Sequence, residues 1–444
     1  MVRLDASKFA VGALGERMAF TKSRRSYFDG QPGELRKRSL TVFLVTSLRL
    51  SDQANNSPKM TRPLRILTLC YEWPPVGGGG GRAARDIAES LAKRGNVVRV
   101  QTVRFRESRA YDVVNGIDLY RSWSFRRRAD QCSPVEMAGY IVSNFFPAMT
   151  HALRFKPDLI HAHFAVPTGA LALPIALIAK VPYFITAHLG DVPGAIPDQT
   201  DHLFRWLTPA IRPIWNRAAA LVAVSSFVAN LARKAYGKEL TIIPNGINLV
   251  GRPEAPGQSI APTRLIFVGR LNPQKNLLFL AKVLSGIRDL HWECDIVGDG
   301  EERARLVKAF REAGVSERVR FHGWLDPGDV ENKLRAAEIF LLPSKVEGLS
   351  VAALEAAKFG LVLIGSDIPS LRESIIAGKN GCLLPITDSD LWSDTIRELL
   401  NKPEKRLEMR RQSWEHAREF DLERIGDRYE RLFREVLSRI SRAS

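Results

Sequence analysis

The sequence predicts a parallel α/β fold made of two doubly wound domains joined by a linker. Three observations carry that expectation. From residue 64 onward short apolar runs alternate with longer amphipathic stretches, as strands of a parallel sheet alternate with crossover helices. The alternation breaks at the proline-rich GRPEAPGQSIAPT of 251–263 and then restarts. The chain's 444 residues suit about two to three domains, each large enough to bury a core.

In chain order, LRILTLC (64–70) reads as the first strand, and RAARDIAESLAKRG (82–95) as an amphipathic helix ended by Gly95. NVVRVQTV (96–103) returns as a strand, followed by DLIHAH (158–163), YFITAH (183–188), ALVAVS (220–225) and LTIIPN (240–245). Past the linker the strands are RLIFVGRL (264–271), WECDIVG (292–298), RVRFHG (318–323), IFLLP (339–343) and LVLIGS (361–366). The final stretch, 405–440, is helical by periodicity and rich in both charge signs. The expected domains are therefore 60–250, a linker at 251–263, 264–404, and a helical segment over 405–444.

Residues 1–59 carry 11 Lys and Arg against 5 Asp and Glu and have no clear periodicity. They are expected to be a disordered extension or the product of an upstream start codon, with Met60 opening the folded chain. The whole sequence carries 65 basic and 48 acidic residues, a net charge of +17, which favours an anionic partner: membrane lipid, nucleic acid or a phosphorylated substrate. No apolar run reaches the ~18 to 20 residues that span a bilayer. Cys70, Cys132, Cys294 and Cys382 are scattered, without CxxC spacing, which fits a reducing cytoplasm.

Glu347 and Glu355 stand eight positions apart in SKVEGLSVAALEAAKFG, where a loop is expected to turn into a helix near Leu349. A helical rise of about 1.5 Å per residue separates the two carboxylates by roughly 12 Å, with free backbone N–H groups between them. Such groups suit a phosphate. A ligand with hydroxyls at both ends and an anionic middle matches, as a nucleotide sugar does.

Other residues fall at the carboxyl ends of predicted strands, where open α/β sheets bind ligands. YEWPPVGGGGGR (71–82) places five glycines between the first strand and the first helix, allowing close approach of backbone N–H groups to an anion. Arg270 and Lys275 in VGRLNPQKN are cations suited to a diphosphate without a metal. His188 in TAHLGDV is placed to bond a sugar hydroxyl or act on a proton. His161 and His163 share one strand face, but with no third ligand they read as structural. Asp388 and Asp390 in TDSDLW read as a helix N-cap and its first turn.

Together these segments resemble the family 4 retaining glycosyltransferases of the GT-B fold. The resemblance covers about 64–440 and runs in order through PPVGGGGGR, DLIHAH, TAHLGD, VSS, IPNGIN, VGRLNPQKN, IVGDGEE, FHGWL, EGLSVAALEA and GKNGCLLP. It implies two Rossmann-like domains facing a central cleft, with the acceptor on the first, a nucleotide-sugar donor on the second, and the final helix crossing back to the first. By the resemblance, Glu347 contacts the donor sugar, Glu355 the ribose, and Arg270 and Lys275 the diphosphate. Backbone groups at Gly348, Leu349 and Ser350 and the loop around Gly78 and Gly79 assist, and His188 touches the transferred sugar. No metal and no cofactor beyond the donor substrate are implied. The two carboxylates are not a hydrolase pair, which needs a separation of about 5 to 9.5 Å across one bond. Where the family often has Glu-Gly-Phe-Gly, this chain has Glu347, Gly348, Leu349 and Ser350.

Two other functions fit parts of the sequence. A nucleotide-sugar epimerase shares the architecture, and a basic nucleic-acid-binding protein fits the charge, although no zinc-finger spacing or RNA-binding motif is present. The stretch 103–128 is basic and aromatic. Its Arg104, Arg106, Arg109, Arg121, Arg126, Arg127 and Arg128 are expected to meet an anionic leaflet. The acceptor would then be a carbohydrate or lipid-linked sugar at the cytoplasmic face, with no nucleic acid involved.

Overall fold

The computed structural model describes residues 62–129, 131–194, 202–257 and 262–443. The expectations for 1–59 and for positions 258–261 of the linker lie outside them. The first sheet comprises β1 (Arg65–Cys70), β2 (Val97–Arg104), β3 (Tyr111–Val114), β4 (Ile117–Trp123), β5 (Leu159–His163), β6 (Tyr183–Ala187), β7 (Ala220–Ala223) and β8 (Thr241–Ile242). Its spatial order is β3-β4-β2-β1-β5-β6-β7-β8. Every neighbouring pair is parallel except β3 with β4.

The second sheet comprises β9 (Thr263–Val268), β10 (Trp292–Val297), β11 (Val319–Gly323), β12 (Ile339–Leu342), β13 (Val362–Ser366) and β14 (Gly381–Leu384), in the order β11-β10-β9-β12-β13-β14. Its strands pair in parallel throughout. Strands β5, β6, β12 and β13 are buried at every position, because helices cover both faces of a parallel sheet.

The first half contributes α1 (Gly79–Lys93), α2 (Pro134–Phe155), α3 (Ala170–Ala179), α4 (His202–Arg217) and α5 (Ser226–Tyr236). The second adds α6 (Leu277–Ser285), α7 (Arg303–Glu312), α8 (Pro327–Ala336), α9 (Val351–Lys358), α10 (Ser389–Asn401), α11 (Pro403–His416) and α12 (Leu422–Ala443). Asp388 caps α10 through a bond accepted from Leu391 N at 2.9 Å, as its sequence context suggests.

Four features differ from the sequence expectation. First, α1 begins at Gly79, inside the glycine run, so Gly78 is its N-cap rather than part of a long loop. Glycine's weak helix propensity is overridden by crowding: a Cβ on Gly80 would meet Phe164 Cζ at 2.6 Å, and one on Gly81 the Glu72 carbonyl oxygen at 2.8 Å. Second, the 405–440 helix is interrupted between α11 and α12, where Ile247 N donates to Phe420 O at 2.8 Å and Leu422 N to Ile247 O at 3.0 Å. Third, 103–128 holds an antiparallel hairpin, β3 to β4, turned at Asn115 and Gly116 with φ of 50° and 80°. Fourth, Arg126 is buried and donates to the carbonyls of Arg128 and Ala129, and Arg121 is partly buried, bonded to the Arg109 carbonyl and ion-paired with Asp112. Arg126 therefore does not face a surface, because its guanidinium is committed to the loop that carries it.

Helix α12 crosses back to the first half. Arg94 of α1 bonds Glu430 and Asp427, each at 2.7 Å. On its apolar face, fully buried Tyr429 and Phe433 pack against His161, with ring centroids 5.5 and 5.2 Å apart. The chain's end thus completes the core of the half in which the fold began.

Candidate active site

In each sheet the strand order reverses once beside the first strand, between β1 and β5 and between β9 and β12. Crevices outside the carboxyl ends of strands at such reversals are where doubly wound sheets hold ligands. Here the loops leaving all four strands meet.

On the second half, the loop after β9 carries Arg270 and Lys275, and the loop after β12 carries Glu347. Asn272 holds the first loop by accepting from Lys275 N at 3.3 Å. The two loops are tied by Gln274 Nε2 donating to Val346 O and Lys345 N donating to Gln274 O, each at 2.9 Å. The Lys275 ammonium and the buried Glu347 carboxylate then form an ion pair at 2.5 Å. Burial makes that pairing obligatory, since an isolated charge there would be desolvated without compensation.

Ser350 is the N-cap of α9 and accepts from Ala353 N at 3.4 Å, so the helix starts at Val351 and Leu349 precedes it. Glu355, one turn in, is ion-paired with Arg82 of α1 across the cleft. Burial pushes its carboxyl above the ordinary range, and the Arg82 charge opposes that shift. Gly348 meets the first half as well: a Cβ there would lie 3.2 Å from Leu189 Cβ.

On the first half, Gly78 N donates to Glu72 Oε2 at 3.2 Å, so a carboxylate already occupies the start of α1. Position Gly78 faces the second half: a Cβ on it would stand 3.3 Å from Arg270 Nη2. One on Gly79 would be 3.6 Å from Val351 Cγ2.

His188 follows β6 and is buried, with Nε2 unpartnered. Its ring stacks on Phe164, centroids 4.4 Å apart and planes tilted by 31°. Phe164 has φ of 73°, a left-handed backbone unusual for a large side chain, which turns its ring between Gly80 and His188. Behind His188 stand His163 at 5.8 Å and then His161, 4.2 Å from His163 by ring centroids. His161 Nε2 is 2.9 Å from Thr186 Oγ1, while both nitrogens of His163 are unpartnered. Burial holds all three neutral, lowering His188 to about 4, His161 to about 3 and His163 well below the usual value. Among the described residues no group of three or more His, Cys, Asp or Glu is placed to hold a metal ion.

Asp191 anchors this corner. Its carboxylate accepts from Ala165 N and His188 N at 2.7 Å each and from Val166 N at 3.3 Å. Burial nonetheless pushes it up to about 7, against the pull of those N–H groups.

The fold thus brings Arg270 to Gly78, Lys275 to Glu347, and His188 to the start of α1, while Glu355 is engaged by Arg82. Sequence reasoning did not single out Glu72, Arg82, Phe164 or Leu189. Glu72 and Arg82, which flank the glycine run, had a signal in the sequence; Phe164 and Leu189 depend on contacts between distant segments.

Two family models match the chain, Glycosyltransferase Family 4 over 77–250 and Glycosyl transferases group 1 over 256–416. A glycogen synthase of Mycobacterium tuberculosis is 28% identical over 376 residues, covering 77% of this chain and 87% of that one. Sucrose-phosphate synthase from Thermosynechococcus elongatus superposes with a TM-score of 0.72 at 20% identity, covering 84% of this chain and 99% of that one. Anabaena HepE in complex with UDP-glucose superposes with a TM-score of 0.66 at 18% identity, covering 84% and 99%. With both halves matched and the two sheets meeting at their strand-order reversals, the chain belongs to the family 4 glycosyltransferases of the GT-B fold.

Proposed function

We propose that this enzyme is a retaining, metal-independent hexosyltransferase that moves a sugar from a nucleoside diphosphate to a hydroxyl of a carbohydrate or lipid-linked acceptor. The observation that carries this reading is the meeting of Arg270 with the start of α1, on the same loop that carries Lys275 to Glu347. One loop supplies two cations, and the first of them reaches a helix N-terminus, the combination that a diphosphate needs. The UDP-glucose held by the Anabaena protein supports a donor of this class.

In this reading the diphosphate takes the place of the Glu72 carboxylate at Gly78 N, and Arg270 and Lys275 neutralise it. Glu347, oriented by Lys275, accepts from sugar hydroxyls, and Glu355 accepts from the ribose once Arg82 turns to the phosphates. The bond from the anomeric carbon to the phosphate oxygen breaks as negative charge grows on that oxygen, where both cations stabilise it. The acceptor oxygen bonds the anomeric carbon on the same face and its proton passes to the departing phosphate oxygen. His188, held neutral by burial, lends Nε2 to a hydroxyl of the transferred sugar without adding charge.

A thermal-shift panel of UDP, GDP, ADP and their sugar conjugates tests the donor site, since ligand bound to the native state raises its stability by RT ln(1 + [L]/Kd). One nucleotide is expected to stabilise selectively, and the shift is expected to shrink in Arg270→Ala. No shift with any nucleotide, in protein shown to be folded, overturns the reading.

A further inference from the structure

Helix α2 carries apolar side chains on both its buried and its exposed side. Its inner face, with Tyr140, Asn144, Ala148 and Ala152, is buried against the first sheet and its neighbours. Its outer face carries Val135, Val142, Phe146 and Leu153, whose spacing of seven, four and seven puts them on one stripe. They are exposed, Val142 at 74% and Phe146 at 75%. Between Glu136 and Arg154 the helix has no charged side chain, since burial holds His151 neutral with its value lowered to about 4. Glu136 is spent on the capping box at the helix start, accepting from Ser133 N at 2.7 Å.

The stripe continues past the helix start. Trp123, 62% exposed, and Phe125 stack edge to face with centroids 4.5 Å apart, and Phe125 leans on α2 at Gly139. Trp123 lies at the carboxyl end of β4, in register with Arg104, and so at the end of the sheet that borders the cleft. Cations flank both ends: exposed Arg106, Arg109 and Arg127 near Trp123, and exposed Arg154, Lys156 and Lys180 at the far end.

We propose that the outer face of α2, extended by Trp123 and Phe125, docks this enzyme on an anionic lipid surface. The apolar stripe enters the boundary of the acyl chains, the tryptophan sits at headgroup level, and the flanking cations meet lipid phosphates. A second copy of the chain is the poorer occupant, because a two-fold interface would set these cations against cations. Among the described residues no helix is long and apolar enough to cross a membrane, so the surface lies on the bilayer rather than in it. The proposal rests on the glycosyl-transfer reading only for its purpose, which is to bring a lipid-carried hydroxyl to the cleft.

Cosedimentation of the full chain with vesicles of phosphatidylglycerol and phosphatidylcholine tests it. Wild type is expected to bind, and Val142→Glu with Phe146→Glu to weaken binding by about tenfold or more, since the apolar stripe supplies the insertion. Arg109→Ser and Arg127→Ser are each expected to cost about fivefold, and pure phosphatidylcholine or high salt to weaken binding. Val142→Ser with Phe146→Ser serves if the glutamates impair folding. Absence of wild-type binding overturns the proposal, as does unchanged binding in a folded double variant. A wild-type dimer that the double variant splits also overturns it, by assigning the face to a second copy. Nucleotide-induced stabilisation is measured on the same samples, so vesicle binding without it condemns the donor site and leaves the docking surface standing.

Discussion

The two sides of the cleft differ in how much charge they carry. The second half presents charges, with Lys275 and Glu347 paired at 2.5 Å and Arg270 beside the start of α1. The first half brings Arg82 and Glu72 at the start of α1, but its inner wall is a row of neutral imidazoles, with His188 and His163 carrying unpartnered nitrogens in a buried row that ends on α12. The difference follows from position. Loops that project past the strand ends bring opposite charges together, whereas His161 and His163 lie within a strand buried on both faces, where only the uncharged form is tolerated. On the proposed reading this is a division of labour, with the diphosphate charge met on one wall and sugar hydroxyls on the other.

The sharpest way to break this comparison is to remove the charged wall. Arg270→Ala and Glu347→Ala are each expected to lower turnover by about 100-fold to 1,000-fold, as loss of a transition-state charge partner does. A transfer assay on variants with a preserved far-UV spectrum checks this, and near-normal turnover in either removes the assignment. Glu347→Ala is also expected to lower the denaturation midpoint, because it leaves the Lys275 ammonium half-buried and unpaired.

The neutral wall is tested by acid. His161 and His188 have native values lowered to about 3 and about 4, below the unfolded value near 6.5. Their stabilising contribution is present above about 6.5 and lost as pH falls, by up to about 1.4 kcal/mol per pH unit for each histidine. Urea titrations between pH 7 and pH 5 are expected to show this slope, and His161→Phe to reduce it. A flat profile would mean that the row takes up protons while folded.

Asp191 works in the opposite sense. Its native value, raised to about 7, gives stability that is full below the unfolded carboxylate range and is lost as pH rises toward 7. Asp191→Asn, compared with wild type between pH 4 and pH 7, is expected to remove that dependence, with a smaller effect than the histidine row has. If wild type shows no such dependence, the three N–H groups hold the carboxylate ionised throughout. The smallest effect is expected for Ser350→Ala, which removes the α9 cap and costs about 1 kcal/mol in a thermal or urea melt.

Much was legible from residue order because it depends on local rules. Apolar runs flanked by amphipathic stretches marked the two sheets, and the proline-rich break marked where one ends and the other begins. The hairpin at 111–123 has a local signal too, Asn115 and Gly116 between apolar neighbours, but the surrounding arginines point to an anionic leaflet rather than to a turn. The helical start at Gly79 was not legible, because glycines are chosen there for the room that Phe164 and Glu72 leave.

Periodicity and strand-end position were enough to specify a doubly wound chain in two halves and to put Arg270, Lys275, Glu347 and His188 at strand ends, because a strand's direction decides where its following loop emerges. Pairing belongs to the folded molecule alone. Arg82 with Glu355, Gly348 with Leu189, and Phe164 with His188 join segments whose separation in sequence holds no trace of their distance in space. The fate of an arginine is settled the same way: Arg126 and Arg127 are chain neighbours with the same side chain, yet the loop buries the first and exposes the second.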